Sequence, residues 1–216
     1  LMNDGKGFLQ KLKCGGTFAF GLELADMDGD GDLDALVGAH EIEYSSNPTA
    51  ITGIVWNNGK GFFPSYDVTR LQQYKKRWGG IPEVSASDLD NDGDLDIVYS
   101  RVGDLYVGTA IQIIENLGNK KFKDHGIFPL VEAPDDFIAV SVGNEWNDFI
   151  DSIKFRDVDG DGDLDIYLAG DHFKTNGTVL LNNGNFNFDI IRPAEAVALF
   201  TDGSNKKIII GHKKHI

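Results

Sequence analysis

Short apolar runs that end in small residues recur along the chain: Ala35-Leu36-Val37-Gly38-Ala39, Ile97-Val98-Tyr99-Ser100 and Ile166-Tyr167-Leu168-Ala169-Gly170. Their length and their Val, Ile and Tyr content predict β-strands. Each follows an acidic stretch of nine residues. A second landmark lies between the acidic stretches: Trp56-Asn57-Asn58-Gly59-Lys60-Gly61-Phe62, Glu115-Asn116-Leu117-Gly118-Asn119-Lys120-Lys121-Phe122 and Leu181-Asn182-Asn183-Gly184-Asn185-Phe186. Asn and Gly between apolar stretches signal a tight hairpin. Each unit therefore reads as strand A, acidic loop, strand B, variable loop, strand C, Asn/Gly turn and strand D.

Asp26 and Asp88 are 62 residues apart, and Asp88 and Asp157 are 69 apart. A period of this length indicates an array of supersecondary units. Four antiparallel strands per unit predict an all-β chain, a β-propeller of four-stranded blades. The blades are expected over residues 14–70, 78–130 and 146–192, with half-blades at 1–13 and 196–216. The N-terminal half repeats the C–turn–D pattern. The C-terminal half repeats A and B, with Lys206 and Lys207 where acidic ligands would stand. Three blades and two halves make about four blade equivalents. Either the halves pair and close a four-bladed ring, which removes exposed sheet edges, or the chain is an arc of a larger ring.

Composition supports a folded chain. Of 216 residues, 41% are hydrophobic and 11% aromatic, enough for a core. The single cysteine, Cys14, excludes an internal disulfide framework. No apolar run approaches the roughly 18 residues of a membrane helix. A start at Leu1 rather than Met leads to the expectation of a piece of a longer protein.

Charge sharpens the picture. The formal net charge is −14, and the three acidic stretches carry five Asp each, or −15, leaving −14 + 15 = +1 for the rest. The acidity is therefore confined to Asp26, Asp28, Asp30, Asp32 and Asp34; to Asp88, Asp90, Asp92, Asp94 and Asp96; and to Asp157, Asp159, Asp161, Asp163 and Asp165. Each stretch reads D-x-D-x-D-G-x-x-D. Oxygen ligands at alternate positions converge on one hard cation when the chain curls, and Gly at position 6 permits the positive φ of the curl. Position 7 would offer its backbone carbonyl, and the Asp at position 9 closes the shell. Oxygen-only donors favour Ca²⁺ over zinc or copper, so three structural Ca²⁺ sites are expected. Without a cation, five like charges repel at close range. An EF-hand is excluded, because position 12 is Val37, Tyr99 and Leu168 and the flanks are strand-like.

The loops, with Phe20-Gly21 and Gly38-Ala39 around the first, resemble the FG-GAP/VCBS repeat family, whose best-known relatives are the integrin α-subunit propellers. The second and third repeats carry Pro82-Glu83 and Asp151-Ser152 in place of Phe-Gly. The resemblance implies a β-propeller with structural Ca²⁺ in the A–B loops. It also implies an extracellular or cell-surface setting, and adhesion or ligand binding rather than catalysis.

Alternating strand direction puts the A–B and C–D turns on one face of such a disc and the B–C and D–A loops on the other. The second set is long and irregular, so a glycan or protein partner is expected there. Arg70, Tyr74, Lys75, Lys76, Arg77 and Trp78 form a cationic, aromatic stretch. It reads as a patch for an anionic partner such as an acidic polysaccharide, or as a solvated loop or short helix. Trp78 and Trp146 precede strand A of their blades, positioned either to pack between blades or to stack on sugar rings. Neither nucleic acid nor membrane insertion is expected; further blades of a longer parent chain are.

No nucleophile elbow, P-loop or Cys/His zinc spacing is present, so the chain is not expected to be an enzyme. The competing expectation is a propeller of a polysaccharide-active, lyase-like enzyme using His40, Tyr44, His172 and Arg101. His40, His172 and His212 each follow a strand B and read either as a set that surrounds a metal or supplies bases, or as solvated loop-end residues. A structural segment of a larger surface protein is the third expectation.

Overall fold

The computed structural model describes residues 2–3, 9–10, 19–39, 51–64, 67–72, 74, 76–169 and 174–193. These residues are all-β, with three four-stranded antiparallel sheets and one two-stranded hairpin. The hairpin pairs β1 (Met2–Asn3) with β2 (Leu9–Gln10). The first sheet contains β3 (Ala19–Ala25), β4 (Asp34–Ala39), β5 (Gly53–Val55) and β6 (Val68–Arg70). The second contains β7 (Val84–Ser87), β8 (Asp96–Val102), β9 (Thr109–Asn116) and β10 (Phe122–Val131). The third contains β11 (Ser152–Arg156), β12 (Asp165–Ala169), β13 (Val179–Asn182) and β14 (Phe188–Ile191). In every sheet, spatial order follows chain order, so each is the A-B-C-D meander read from the sequence. The described helical segments are two 3-10 turns, Lys76–Trp78 and Asp104–Tyr106. Among the described residues no helix is long and apolar enough to cross a membrane.

Packing explains why the B strands read as unbroken apolar runs. All seven residues of β8 are buried, which requires cover on both faces of the second sheet. On one face Ile97, Tyr99 and Ile114 pack with Met27, Leu36, Ile54 and Trp56 of the first sheet. On the other, Val98, Ile111 and Ile113 pack with Ile153, Ile166, Leu168 and Leu180 of the third. The second sheet is thus held between the other two, and the period-2 alternation of side chains feeds two separate cores. The first strands lie side by side: β3 touches β7, and β7 touches β11.

The small residues ending strand B have a steric role. A Cβ on Gly38 would come within 2.4 Å of Ile81 Cγ2, and the Gly21 N–H donates to Ile81 O at 3.2 Å. The two glycines therefore let the chain leading into the second sheet lie directly on the first. In the second sheet Ser100 holds the place of Gly38. Its hydroxyl donates to Ile150 O at 3.1 Å and accepts the Glu83 N–H at 2.9 Å.

Residues 196–216, expected to supply a terminal half-blade, lie outside the described residues, as do His40, Tyr44, His172, His212, Lys75 and the side chain of Lys76.

Candidate metal centres

Each acidic stretch forms the bend between strands A and B, where the sequence places it. The positive φ expected at position 6 is present: +93° at Gly31, +97° at Gly93 and +103° at Gly162. Position 4 is also left-handed, at Gly29, Asn91 and Gly160. In Asn91 the short amide makes that region tolerable.

The curl closes around position 1. Asp26 accepts the N–H groups of Asp30 at 3.1 Å and Gly31 at 2.9 Å; Asp88 accepts those of Asp92 at 3.1 Å and Gly93 at 3.0 Å. In the third bend Asp157 instead accepts the Gly160 N–H. Carboxylates 1, 3 and 9 converge in every bend. Asp26, Asp28 and Asp34 form one group, Asp88, Asp90 and Asp96 the second, and Asp157, Asp159 and Asp165 the third; within each, one oxygen per residue lies within 4.8 Å of the others. Positions 5 and 7 behave differently. Oδ1 of Asp30, Asp92 and Asp161 accepts the N–H of position 7 at 2.8–2.9 Å. The position 7 carboxylates of Asp32, Asp94 and Asp163 lie against the turn glycines Gly59, Gly118 and Gly184. The converging groups therefore draw on positions 1, 3 and 9, and positions 5 and 7 are not among them.

Position 9 is the hub, and it is buried: Asp34 is 2% exposed and Asp96 and Asp165 are 0%. One oxygen accepts the backbone N–H of position 2, from Met27 at 3.1 Å, Leu89 at 2.9 Å and Val158 at 2.6 Å. The other accepts an N–H from the end of strand C, from Asn57 at 2.8 Å, Asn116 at 2.9 Å and Asn182 at 2.8 Å. One carboxylate thus joins the A–B bend to the C–D turn.

Two of these asparagines reach into the neighbouring sheet. Asn116 Nδ2 donates to Leu95 O of its own bend and to Met27 O of the preceding one. Asn182 Nδ2 donates to Leu164 O and Leu89 O in the same way. In the sequence these asparagines read only as part of the hairpin signal, and their tie to a neighbouring bend does not show there. Their recurrence just before each C–D turn was the available signal.

The electrostatics are those of a site short of positive charge. Burial raises the carboxyl pKa of Asp34, Asp96 and Asp165 in spite of the two N–H donors, and nearby Asp charges raise it further. For Asp96 it is pushed up to about 7. Asp28 Oδ1 is buried with no hydrogen-bond partner among the described residues, and a buried acceptor of this kind fits a bound cation. Lys120, 3.2 Å from Asp28 Oδ2 and 3.9 Å from the Trp56 ring centroid, partly offsets the charge from the second sheet.

A pH dependence follows. An unfolded Asp titrates near 3.9. A folded-state pKa raised to about 7 gives stability that is present at low pH and lost as pH rises through about 7. The metal-free protein is expected to melt higher at pH 5 than at pH 8. With millimolar Ca²⁺ the order is expected to reverse, because protons compete for the same oxygens. Thermal melts at the two pH values, with EGTA and with Ca²⁺, check both halves.

The partner-binding candidates fare unevenly. Arg77 is already engaged by Glu132 and Asp135. The Tyr74 hydroxyl donates to Asp124 Oδ2 at 2.8 Å. Arg70 is exposed, and Lys76 begins the 3-10 turn. The Trp78 ring lies against Gly108, where a Cβ would meet it at 3.2 Å. Trp146 stands edge-on to Phe137 at 6.4 Å with Lys174 Nζ 5.5 Å from its ring. Arg101, considered as a substrate-facing cation, is 1% exposed and bonded to Gln112 Oε1, Trp78 O and Gln72 O. It holds the D–A connection onto the second sheet, so burial removes it from any substrate.

No protein-family model, curated protein or solved structure matches this chain.

Proposed function

We propose that this chain is an extracellular, calcium-stabilised β-propeller module of the FG-GAP/VCBS kind that binds a glycan or protein partner through its B–C and D–A loops. The observation that carries the reading is the threefold repetition of one carboxylate cluster, at positions 1, 3 and 9 of three bends on three stacked sheets. Side-by-side first strands, with a core on each face of the middle sheet, are what neighbouring blades require. The β1–β2 hairpin is the C–D part of a further blade. Three Ca²⁺ would change the net charge from −14 to −14 + 6 = −8. The ion neutralises each bend and locks its hairpin. Extracellular modules of this type bind Ca²⁺ with Kd of about 10⁻⁴ to 10⁻³ M, a range matched to the outside of cells.

The loop face supports the recognition role. The B–C segment of the second sheet, the D–A segment before the third and the B–C segment of the third all border one cleft, through Tyr106, Val142 and Lys174. Binding residues gather on loops held by a rigid scaffold. Calorimetric titration is expected to count three Ca²⁺ per chain, and two when Asp28→Asn and Asp30→Asn are combined. An unchanged count in that variant, or no binding by the parent chain, would contradict the assignment.

A further inference from the structure

The three bends carry the same five aspartates but differ in their surroundings, and the difference comes from the C–D turn of the sheet that follows. In the second sheet the Leu117 N–H donates to Lys121 O at 2.8 Å and the Lys121 N–H to Gly118 O at 3.1 Å. In the third, Asn183 and Asn187 close the turn in the same way, at 2.8 and 3.1 Å. The two residues inside are left-handed in both: Asn119 and Lys120 at φ values of 53° and 59°, Asn185 and Phe186 at 52° and 56°. Glycine fills the second of these places at least cost. The first sheet has Gly61 there, at a φ of 69°, four residues after Asn57 as Lys120 and Phe186 are after Asn116 and Asn182. Lys120 and Phe186 are therefore side chains at a place whose backbone favours none. Both reach the sheet before their own. Phe186 stacks on His125, with ring centroids 4.2 Å apart. Lys120 Nζ lies 3.9 Å from the Trp56 ring centroid and 3.2 Å from Asp28 Oδ2.

Among the described residues, Asp28 is the one member of the three converging groups held in an ion pair. The second bend receives the opposite influence. Burial raises the Asp90 carboxyl pKa, and the charges of Asp92, Asp88 and Glu115 raise it further. Lys123 and His125 of that sheet bond Glu115, at 2.9 and 2.8 Å, rather than an aspartate of the bend.

We propose that Lys120 is a built-in counter-charge that makes the first calcium site the weakest of the three, and so the one whose occupancy follows the Ca²⁺ concentration. The inference rests on the calcium reading above and adds a regulation of it. An ammonium fixed beside the group acts twice in the same direction. Without the ion it relieves the repulsion among the carboxylates, and with the ion it adds repulsion between like charges. Both lower the affinity. The Lys120 side chain is 43% exposed and that of Asp28 17%, so solvent screening keeps the effect moderate. By reciprocity, Ca²⁺ at the first site weakens the hold of Lys120 on Asp28. That hold ties the C–D turn of the second sheet to the first, so the junction of these two sheets responds to the calcium level.

The test uses the full chain, with Tb³⁺ bound in place of Ca²⁺ and excited through tryptophan. One ammonium group separates Trp56 from Asp28, which makes Trp56 the donor for the first site. The part of the luminescence that disappears in the combined Asp28→Asn, Asp30→Asn variant belongs to that site. Its displacement by Ca²⁺ gives the first-site affinity, and calorimetry gives the other two. The first site of the parent chain is expected to be the weakest. Lys120→Met, which keeps an unbranched side chain beside Trp56 without the charge, is expected to tighten it about three- to tenfold. The other two sites are expected to be unchanged, which shows that the fold is intact. Lys120→Arg, which keeps the charge, is expected to stay within about twofold of the parent. In EGTA, Lys120→Met is expected to lose more melting temperature relative to the parent than it does in Ca²⁺. A first site as tight as the others in the parent, one unchanged or weakened by Lys120→Met, or one tightened as much by Lys120→Arg would overturn the inference while three bound Ca²⁺ per chain leave the calcium reading standing. Absence of Ca²⁺ binding in every variant would remove that reading and the inference with it.

Discussion

Adding EGTA to the calcium-saturated protein is expected to lower its melting temperature by about 10–30 °C. Each site at a tenfold to hundredfold excess of Ca²⁺ over Kd adds about 1.4 to 2.7 kcal/mol by mass action. Three independent sites add roughly 4–8 kcal/mol, a large part of a typical folding free energy of about 5–15 kcal/mol. For a chain of this size, 1 kcal/mol moves the midpoint by about 2–4 °C. The converging Asp groups give the effect its physical cause, since removing the ion leaves carboxylates within 4.8 Å of one another, with Lys120 offsetting only part of the charge at the first group. A melting curve indifferent to EGTA at millimolar concentration would remove the cation from the account of this fold.

The second large effect belongs to one residue. Asp96→Ala is expected to destabilise the Ca²⁺-loaded protein by about 3–5 kcal/mol, measured by urea unfolding. Two buried N–H groups, on Leu89 and Asn116, would lose their acceptor, at about 1–3 kcal/mol each. The second cation site would lose a ligand at the same time. Asp94→Ala, two positions earlier in the same bend, provides the control. Its carboxylate lies against Gly118 and outside the converging group, so a loss within about 1 kcal/mol is expected. Equal losses in the two variants would show that position 9 is an ordinary member of the bend and not its hub.

The strand order and the bends were legible because their signals are local. Gly31, Gly93 and Gly162 mark a positive φ that only the curl requires, and the B strands announce themselves by composition. The converging set is narrower than five side chains. Positions 5 and 7 have the same chemistry as 1, 3 and 9, and only the backbone path separates their roles. Arg101 was misjudged for a related reason: a cation next to a loop looks available until the Gln112 side chain and two carbonyls close over it. The recurring asparagines could have been found, since Asn57, Asn116 and Asn182 hold one place in the repeat.

Those asparagines have a bearing on how such a protein can change over time. Because Asn116 and Asn182 each clasp the bend of the sheet before them, a substitution in one bend disturbs its neighbour, and variation on that side is constrained collectively. On the opposite side the ties from sheet to sheet are made by a different donor in each repeat, the Gly21 N–H to Ile81 O in one and the Ser100 hydroxyl to Ile150 O in the next. Under the proposed recognition role, one side of the molecule is free to change specificity while the other keeps the frame.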